Sequence, residues 1–282
     1  MACLKKTLPL IALTAGLLGL PRIGLGADDK PALAGQINYA YANYLGTGVY
    51  TAADRSVQVY RLPFSYSLRK PRDGKAGLKL RLPVTLGFLN FRVQDIKDAA
   101  LPDHIETLTF VPGIEFTHNL DDNWMIIPFA DLGVGYDSVS KLTALVYGAG
   151  VKSRMMFAYR GYRFELFNAF LYAGNTTRDE TDNNDFSRLE TGLNLQFPLP
   201  YKAWQRDTAM SVYYLNHLYF NRLEFFRFHE QPAEVRSQNE VGLTFDTFPD
   251  MKLAGAAFSR IGLGYRFGNG VHAIRLTFGL PF

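Results

Sequence analysis

Val271-His272-Ala273-Ile274-Arg275-Leu276-Thr277-Phe278-Gly279-Leu280-Pro281-Phe282 has a period of two. Ile274, Leu276, Phe278, Leu280 and Phe282 share one parity, while Ala273, Arg275, Thr277, Gly279 and Pro281 share the other. Successive side chains of a strand point to opposite faces, so the stretch has one apolar face and one small or polar face. In a soluble protein the apolar face would be core. The length is also close to the ~9–11 residues of a strand that crosses a bilayer, so the remainder of the chain has to decide.

Working outward, the same pattern recurs in segments of roughly ten residues or more, separated by turn residues. Ala76 to Phe88 shows it most clearly, with Leu78, Leu80, Leu82, Val84, Leu86 and Phe88 alternating with Lys79, Arg81, Pro83, Thr85 and Gly87. Such a run is long for a soluble sandwich strand, whose common length is ~5–6 residues. In Val57 to Arg69, Tyr60, Leu62, Phe64, Tyr66 and Leu68 oppose Arg61, Ser65, Ser67 and Arg69. Trp124 to Tyr136 has an apolar face bracketed by Trp124 and Tyr136, as aromatic girdles bracket the outer face of a membrane barrel. Tyr162 and Tyr172 bracket another face in the same way.

Gln36 to Leu45 is the first and weakest segment, and Asn216 and His217 blur the parity of Asp207 to Phe220. With Thr107 to Thr117, Leu142 to Arg154, Phe186 to Leu199, Val235 to Thr247, Leu253 to Phe267 and the final stretch, the chain predicts about twelve strands. The fold class expected is all-β, a transmembrane antiparallel up-and-down β-barrel. If both ends face the periplasm, the connections near Asp73, Asp121, Gly161, Lys202 and Asp250 lie there and are all short. Those near Ala53, Ala99, Ser138, Asp182 and His229 lie outside and are mostly longer and more polar. This asymmetry is what outer-membrane barrels show.

Residues 1–27 read as a secretory signal, with Lys5 and Lys6 before an apolar stretch from Leu8 to Leu20 and small residues up to Ala27. The barrel domain is then 28–282. Beyond that stretch no apolar run approaches the ~20 residues of a transmembrane helix. The one cysteine, Cys3, lies inside the signal, so a mature chain has neither a disulfide nor a cysteine-ligated metal. Losing Lys5, Lys6 and Arg22 lowers the formal charge from +4 to +1 and removes the main support for nucleic-acid binding.

Val57 to Tyr66, Trp124 to Tyr136 and Ile261 to Phe282 resemble the solitary autotransporter-like outer-membrane barrels of Gram-negative bacteria. The closing stretch, ending on Phe282, resembles the carboxy-terminal sorting strand of such barrels. The resemblance implies a barrel without a secreted passenger, residing in the bacterial outer membrane, and it supplies no catalytic or binding residues. Its implied partners are outer-membrane lipids, lipopolysaccharide and the barrel assembly machinery, which would recognise Ile274, Leu276, Phe278, Leu280 and Phe282. Asp28 to Gly35, the residues before the first expected strand, would span ~12 Å as a helix against an apolar band of ~25 Å. The expectation is therefore that no amino-terminal helix plugs the lumen.

Candidate lumen-lining basic residues are Arg61, Lys79, Arg81, Arg163, Arg188, Arg260, Arg266 and Arg275, joined on inward faces by Arg69, Lys152 and Arg154. Glu115, Asp131, Glu165, Glu190, Glu240 and Asp246 oppose them. An unbalanced basic lumen gives a narrow, weakly anion-selective pore. A lumen of paired charges gives a structural or surface-interaction barrel. Outer-membrane lipid hydrolases commonly place a Ser two residues after a His. The residues two after His104, His118, His217, His229 and His272 are Glu106, Leu120, Tyr219, Gln231 and Ile274. The expectation is no enzyme, no cofactor and no metal site. Acidic clusters at Asp95, Asp98 and Asp103, and at Asp179, Glu180, Asp182 and Asp185, belong to outer loops where solvated carboxylates are ordinary.

Overall fold

A computed structural model describes residues 39–279, apart from 53–54, 73–74, 92–106, 139–140, 178–183, 226–232 and 254–255. The expected signal, Leu280 and Phe282 lie outside the described residues. The described chain opens with helix α1 (Tyr39–Leu45), followed by β1 (Gly48–Ala52), β2 (Arg55–Arg69), β3 (Gly77–Phe91), β4 (Thr107–Phe110) and β5 (Gly113–Asn119). Next come β6 (Trp124–Asp137), β7 (Thr143–Tyr159), β8 (Tyr162–Thr177) and β9 (Asn184–Ala203). β10 (Arg206–Phe225), β11 (Ala233–Leu253), β12 (Ala256–Gly268) and β13 (Val271–Phe278) complete the set.

Successive strands pair antiparallel, and β13 pairs with β1, so the sheet closes on itself. β4 and β5 both lie between β3 and β6 and form two halves of one strand, interrupted at Val111 and Pro112. Pro112 has no N–H for the ladder, but its carbonyl accepts a 2.9 Å hydrogen bond from the Leu132 N–H. The result is a closed barrel of 12 antiparallel strands.

The tight ends of this barrel are written in turn chemistry. Arg160 and Gly161 have φ of 51° and 83°, Trp204 and Gln205 have 51° and 62°, and Asn269 and Gly270 have 49° and 75°. Two successive positive φ values define the hairpin turn whose twist matches its strands. At another short connection, Asp121 Oδ1 accepts the N–H groups of Asn123 and Trp124 at 2.7 and 2.8 Å. Asp121 therefore organises a turn.

Alternation decides the two faces. On β6, Trp124, Leu132, Val134 and Tyr136 are exposed while Phe129 and Asp131 are buried. On β2, Leu62, Phe64, Tyr66 and Leu68 are exposed. Leu132 is 59% exposed and Ile274 62%, and such residues recur on almost every strand. An exposed apolar surface this continuous far exceeds the few hundred Å² that soluble monomers carry, whereas lipid covers it at no cost.

The interior departs from a uniformly polar lumen. Towards the longer connections, the inward residues of the wall include an apolar group, Val59, Ala144, Val146, Leu171, Ala173, Phe186 and Val271, beside polar ones such as Asn175. They pack with Leu45 of α1 and with Tyr50. Charged side chains begin at the same levels, with Arg188 opposite Leu171 and Arg266 opposite Ala273, and continue towards the short turns.

Two expectations are corrected here. Of the segment Gln36 to Leu45, Tyr39–Leu45 is a helix, and the first strand of the wall is Gly48–Ala52. A helix also lies within the ring, where none was expected. The length estimate counted only Asp28 to Gly35 and assigned the next ten residues to the wall. In Tyr-Ala-Tyr-Ala-Asn-Tyr-Leu the two alanines and the leucine favour helix and no residue is β-branched. Gly46, at φ 86°, ends the helix, and the Tyr50 hydroxyl caps it by donating to the carbonyls of Leu45 (2.6 Å) and Gly46 (3.0 Å). A helix of 7 residues is too short to persist alone in water, so contacts with the wall hold it.

Candidate functional site

Those contacts define the site. The Tyr44 hydroxyl donates to Asp131 Oδ2 on β6 at 2.8 Å, and the Tyr44 ring meets the edge of Phe186 on β9, with centroids 6.4 Å apart. Thr85 on β3 donates to Asn43 Oδ1 at 3.3 Å, and Arg188 on β9 donates to the Tyr44 carbonyl at 3.4 Å. Gly148 on β7 leaves room for Tyr44, since a Cβ there would collide with the phenol hydroxyl. α1 is thus tied to strands on different sides of the ring.

Below α1 the inward carboxylates gather cations. Glu115 receives Lys152 at 2.7 Å, Lys79 at 2.9 Å and Arg81 at 3.2 Å. Arg81 also pairs with Asp131. Glu240 binds Arg275 at 2.5 Å and Arg266 at 2.9 Å, and it accepts the Tyr213 hydroxyl at 2.9 Å. Glu190 pairs with Arg188 at 3.0 Å. Glu165 pairs with Arg154, and Arg260 lies 3.6 Å from Glu165 and 3.5 Å from Asp246. Asp246 also accepts the Ser211 and Thr244 hydroxyls at 2.6 and 2.7 Å.

Of the eight candidate basic residues, Lys79, Arg81, Arg188, Arg260, Arg266 and Arg275 therefore meet carboxylates. Arg163 is exposed, with its guanidinium 5.7 Å from the centroid of the Phe248 ring. Arg61 is different: it meets no carboxylate among the described residues, and its Nε is buried without a hydrogen-bond partner. Its backbone is fixed by Thr47, whose hydroxyl accepts from the Arg61 N–H at 2.9 Å and donates to the Arg61 carbonyl at 3.0 Å.

Arg61 lines a cavity of about 190 Å³ with Arg81, Lys152, Arg188, Arg266 and Arg275. Glu190 is the one carboxylate among its described lining residues, and Tyr44 forms part of its boundary. The Nε groups of Arg81, Arg188 and Arg275 are also buried without hydrogen-bond partners. A buried donor left unsatisfied costs about 1–3 kcal/mol, more when charged. Several such donors near one cavity favour an acceptor there, and a small anion is one that would serve.

His217 escaped sequence reasoning. It is buried with Nδ1 3.1 Å from Glu190 Oε2 and Nε2 3.8 Å from Glu240 Oε2, so it links two carboxylate clusters. The available signal was the inward parity of Ser211, Tyr213 and Leu215, which continues through His217. Ile274 and Leu276 stand exposed on the outer wall and Phe278 is partly exposed. Of the acidic loop residues only Asp185 is described, and its Oδ2 accepts the Tyr172 hydroxyl at 2.8 Å.

No family model and no curated protein sequence matches the chain. Among solved structures, the β domain of the Bordetella autotransporter BrkA superposes with a TM-score of 0.51 at 8% identity, covering 84% of this chain and 96% of that one. The fold is the outer-membrane β-barrel. LpxR from Salmonella typhimurium aligns at TM-score 0.45 and 11% identity, over 81% of this chain and 91% of that one. The NanC porin aligns at 0.37 and 11%, over 83% and 97%. These likenesses concern fold alone, and the autotransporter-like family is not thereby assigned. The expectation of a non-enzyme is corrected. The outer-membrane barrel fold is itself compatible with catalysis, so that expectation does not stand. The missing His-x-Ser spacing excluded one arrangement of catalytic residues, not the class.

Proposed function

We propose that this protein is an outer-membrane barrel plugged by α1, whose basic lumen cavity binds small anionic groups, and that it conducts anions only when α1 leaves the lumen. The observation that carries this is the reach of α1 across the ring, from Thr85 on β3 to Asp131 on β6 and Arg188 on β9. A standing anion-selective pore needs a continuous water path with uncompensated charge. α1 obstructs that path, and the ion pairs cancel most of the charge. What remains for an anion is the cavity around Arg61.

Purified protein in planar bilayers tests the proposal. The wild type should be nearly silent, and a variant lacking residues 39–45 should show steady conductance with a reversal potential favouring chloride over potassium. Screening over ~8–10 Å at physiological salt should weaken that preference as salt rises. A wild-type conductance equal to that of the deletion variant would contradict it.

Residues 1–27 act in this proposal as a signal peptide, so the mature protein should begin at Asp28. The barrel assembly machinery would recognise the face formed by Ile274, Leu276, Phe278, Leu280 and Phe282, and lipopolysaccharide would meet the outer connections.

A further inference from the structure

The cavity around Arg61 is lined by four successive residues of β13: Arg275, Leu276, Thr277 and Phe278. Arg275 and Thr277 are buried inward residues, whereas Leu276 is on the membrane face and Phe278 shares its parity. A closed wall keeps those two parities on opposite sides. A lining that includes both parities is what an unpaired strand edge would give.

The ladder shows where that edge lies. β1 bridges β13 and β2, pairing Gly48 with Arg275 on one side and with Val59 on the other. Beyond Gly48 the chain turns inward to α1. Thr47 makes the last links, accepting the Leu276 N–H at 3.0 Å through its carbonyl and bonding Arg61 through its hydroxyl. Towards the short turns, β2 continues to Arg69 and β13 to Phe278, and no rung joins β2 to β13 among the described residues. Pro63 on β2 and Leu276 on β13 both line the cavity at this seam. In an outer-membrane barrel the short turns face the periplasm, so the seam opens to the periplasmic leaflet.

A ligand for this place must be amphiphilic. Its inner end meets Arg61, which has no carboxylate partner among the described residues, beside five lining cations whose carboxylates lie mostly outside the cavity, so it carries a compact anion. Its outer end passes apolar Leu276 and Phe278 into hydrocarbon. We propose that the cavity takes the phosphate of a phospholipid that enters sideways between β2 and β13, its acyl chains remaining in the bilayer. This rests on the anion-binding reading of the cavity. Arg61, without a carboxylate of its own, is the group whose charge the phosphate answers.

The test begins with protein extracted from outer membranes into a phosphate-free detergent and examined by native mass spectrometry with phosphorus analysis. One phospholipid per barrel should be retained. Arg61→Gln, shown to be folded by its heat-shifted electrophoretic band, should retain at least tenfold less, and Arg61→Lys should retain most of it. Equal retention by Arg61→Gln overturns the proposal, because the lipid is then bound elsewhere. Calorimetry with inorganic phosphate separates the two layers of the argument. Phosphate binding that needs Arg61, with no lipid retained, overturns the lipid assignment and leaves the anion cavity standing. Absence of both overturns both. If Arg61→Gln does not fold, a phospholipid with a photoreactive acyl chain decides on the wild type. It should label Leu276 and Phe278 well above Leu243 on the outer face of β11, and equal labelling contradicts entry at the seam.

Discussion

The Tyr44 hydroxyl and Asp131 Oδ2 lie 2.8 Å apart, joining α1 to β6 at the level where Arg81 reaches the same carboxylate. Through this one acidic side chain α1 and the charge network of the wall are coupled. Removing the hydroxyl in Tyr44→Phe leaves Asp131 paired with Arg81, so the loss should be that of one hydrogen bond to a charged group, about 1.5–3 kcal/mol. Urea unfolding of the barrel in lipid vesicles measures it. No change in stability would mean that the bond does not hold α1 in place.

Gly148→Val acts on the same contact from the opposite direction. Any Cβ at that position collides with the Tyr44 hydroxyl. The variant should assemble, because strands accept valine, but α1 should be displaced and single-channel conductance should rise above the wild type. Unchanged conductance with normal assembly would show that α1 accommodates the side chain in place.

The buried charge network predicts an asymmetry between two acidic residues. Glu240 is buried between Arg266 and Arg275, and breaking a buried pair by removing one partner costs about 3–5 kcal/mol. Glu240→Gln should lower stability by about that amount. The Lys202–Asp207 pair, 3.0 Å apart, has side chains 68% and 71% exposed, and surface pairs contribute about 0–1 kcal/mol. Asp207→Asn should therefore be almost silent. Similar losses at both positions would contradict the assignment of Glu240 to the lumen.

Leu132 faces lipid near the middle of β6. An arginine on the lipid face costs about 2–4 kcal/mol at the midplane. Leu132→Arg should lose that much stability in vesicles, whereas Leu132→Phe should lose little. Equal and small losses would place Leu132 away from the hydrocarbon.

The barrel was legible because a membrane wall imposes strict parity. Leu78 to Phe88 and Trp124 to Tyr136 declare inside and outside residue by residue, and the turns at Arg160-Gly161 and Gly268-Asn269-Gly270 mark the ends. The pairing of inward cations with Glu115, Glu190 and Glu240 was legible as one of two alternatives, since residue type gives the charges but not their distances. α1 was not legible, because Tyr39 and Tyr41 also satisfy a period of two and seven residues show too little helical periodicity. Its position depends on the wall that surrounds it. His217 was obscured by its neighbour Asn216, a polar residue at an outward position. The seam has no sequence signature at all: it follows from the ladder of β1 ending at Gly48, while β2 and β13 continue.

The central claim is that the chain before β1 lies inside the barrel and not in its wall, and a cross-link tests it most directly. In a Cys3→Ser background, Asn43→Cys with Thr85→Cys places two thiols where the native side chains are hydrogen-bonded. A short bis-methanethiosulfonate reagent should join them in the assembled barrel, so that proteolysis between the two positions releases no separate fragment. Thr51→Cys with Ser56→Cys, on the paired strands β1 and β2, is the positive control, since those hydroxyls lie 3.0 Å apart. Cross-linking of both pairs is the expected result. Cross-linking of the control alone would contradict the account and return Tyr39–Leu45 to a place outside the lumen.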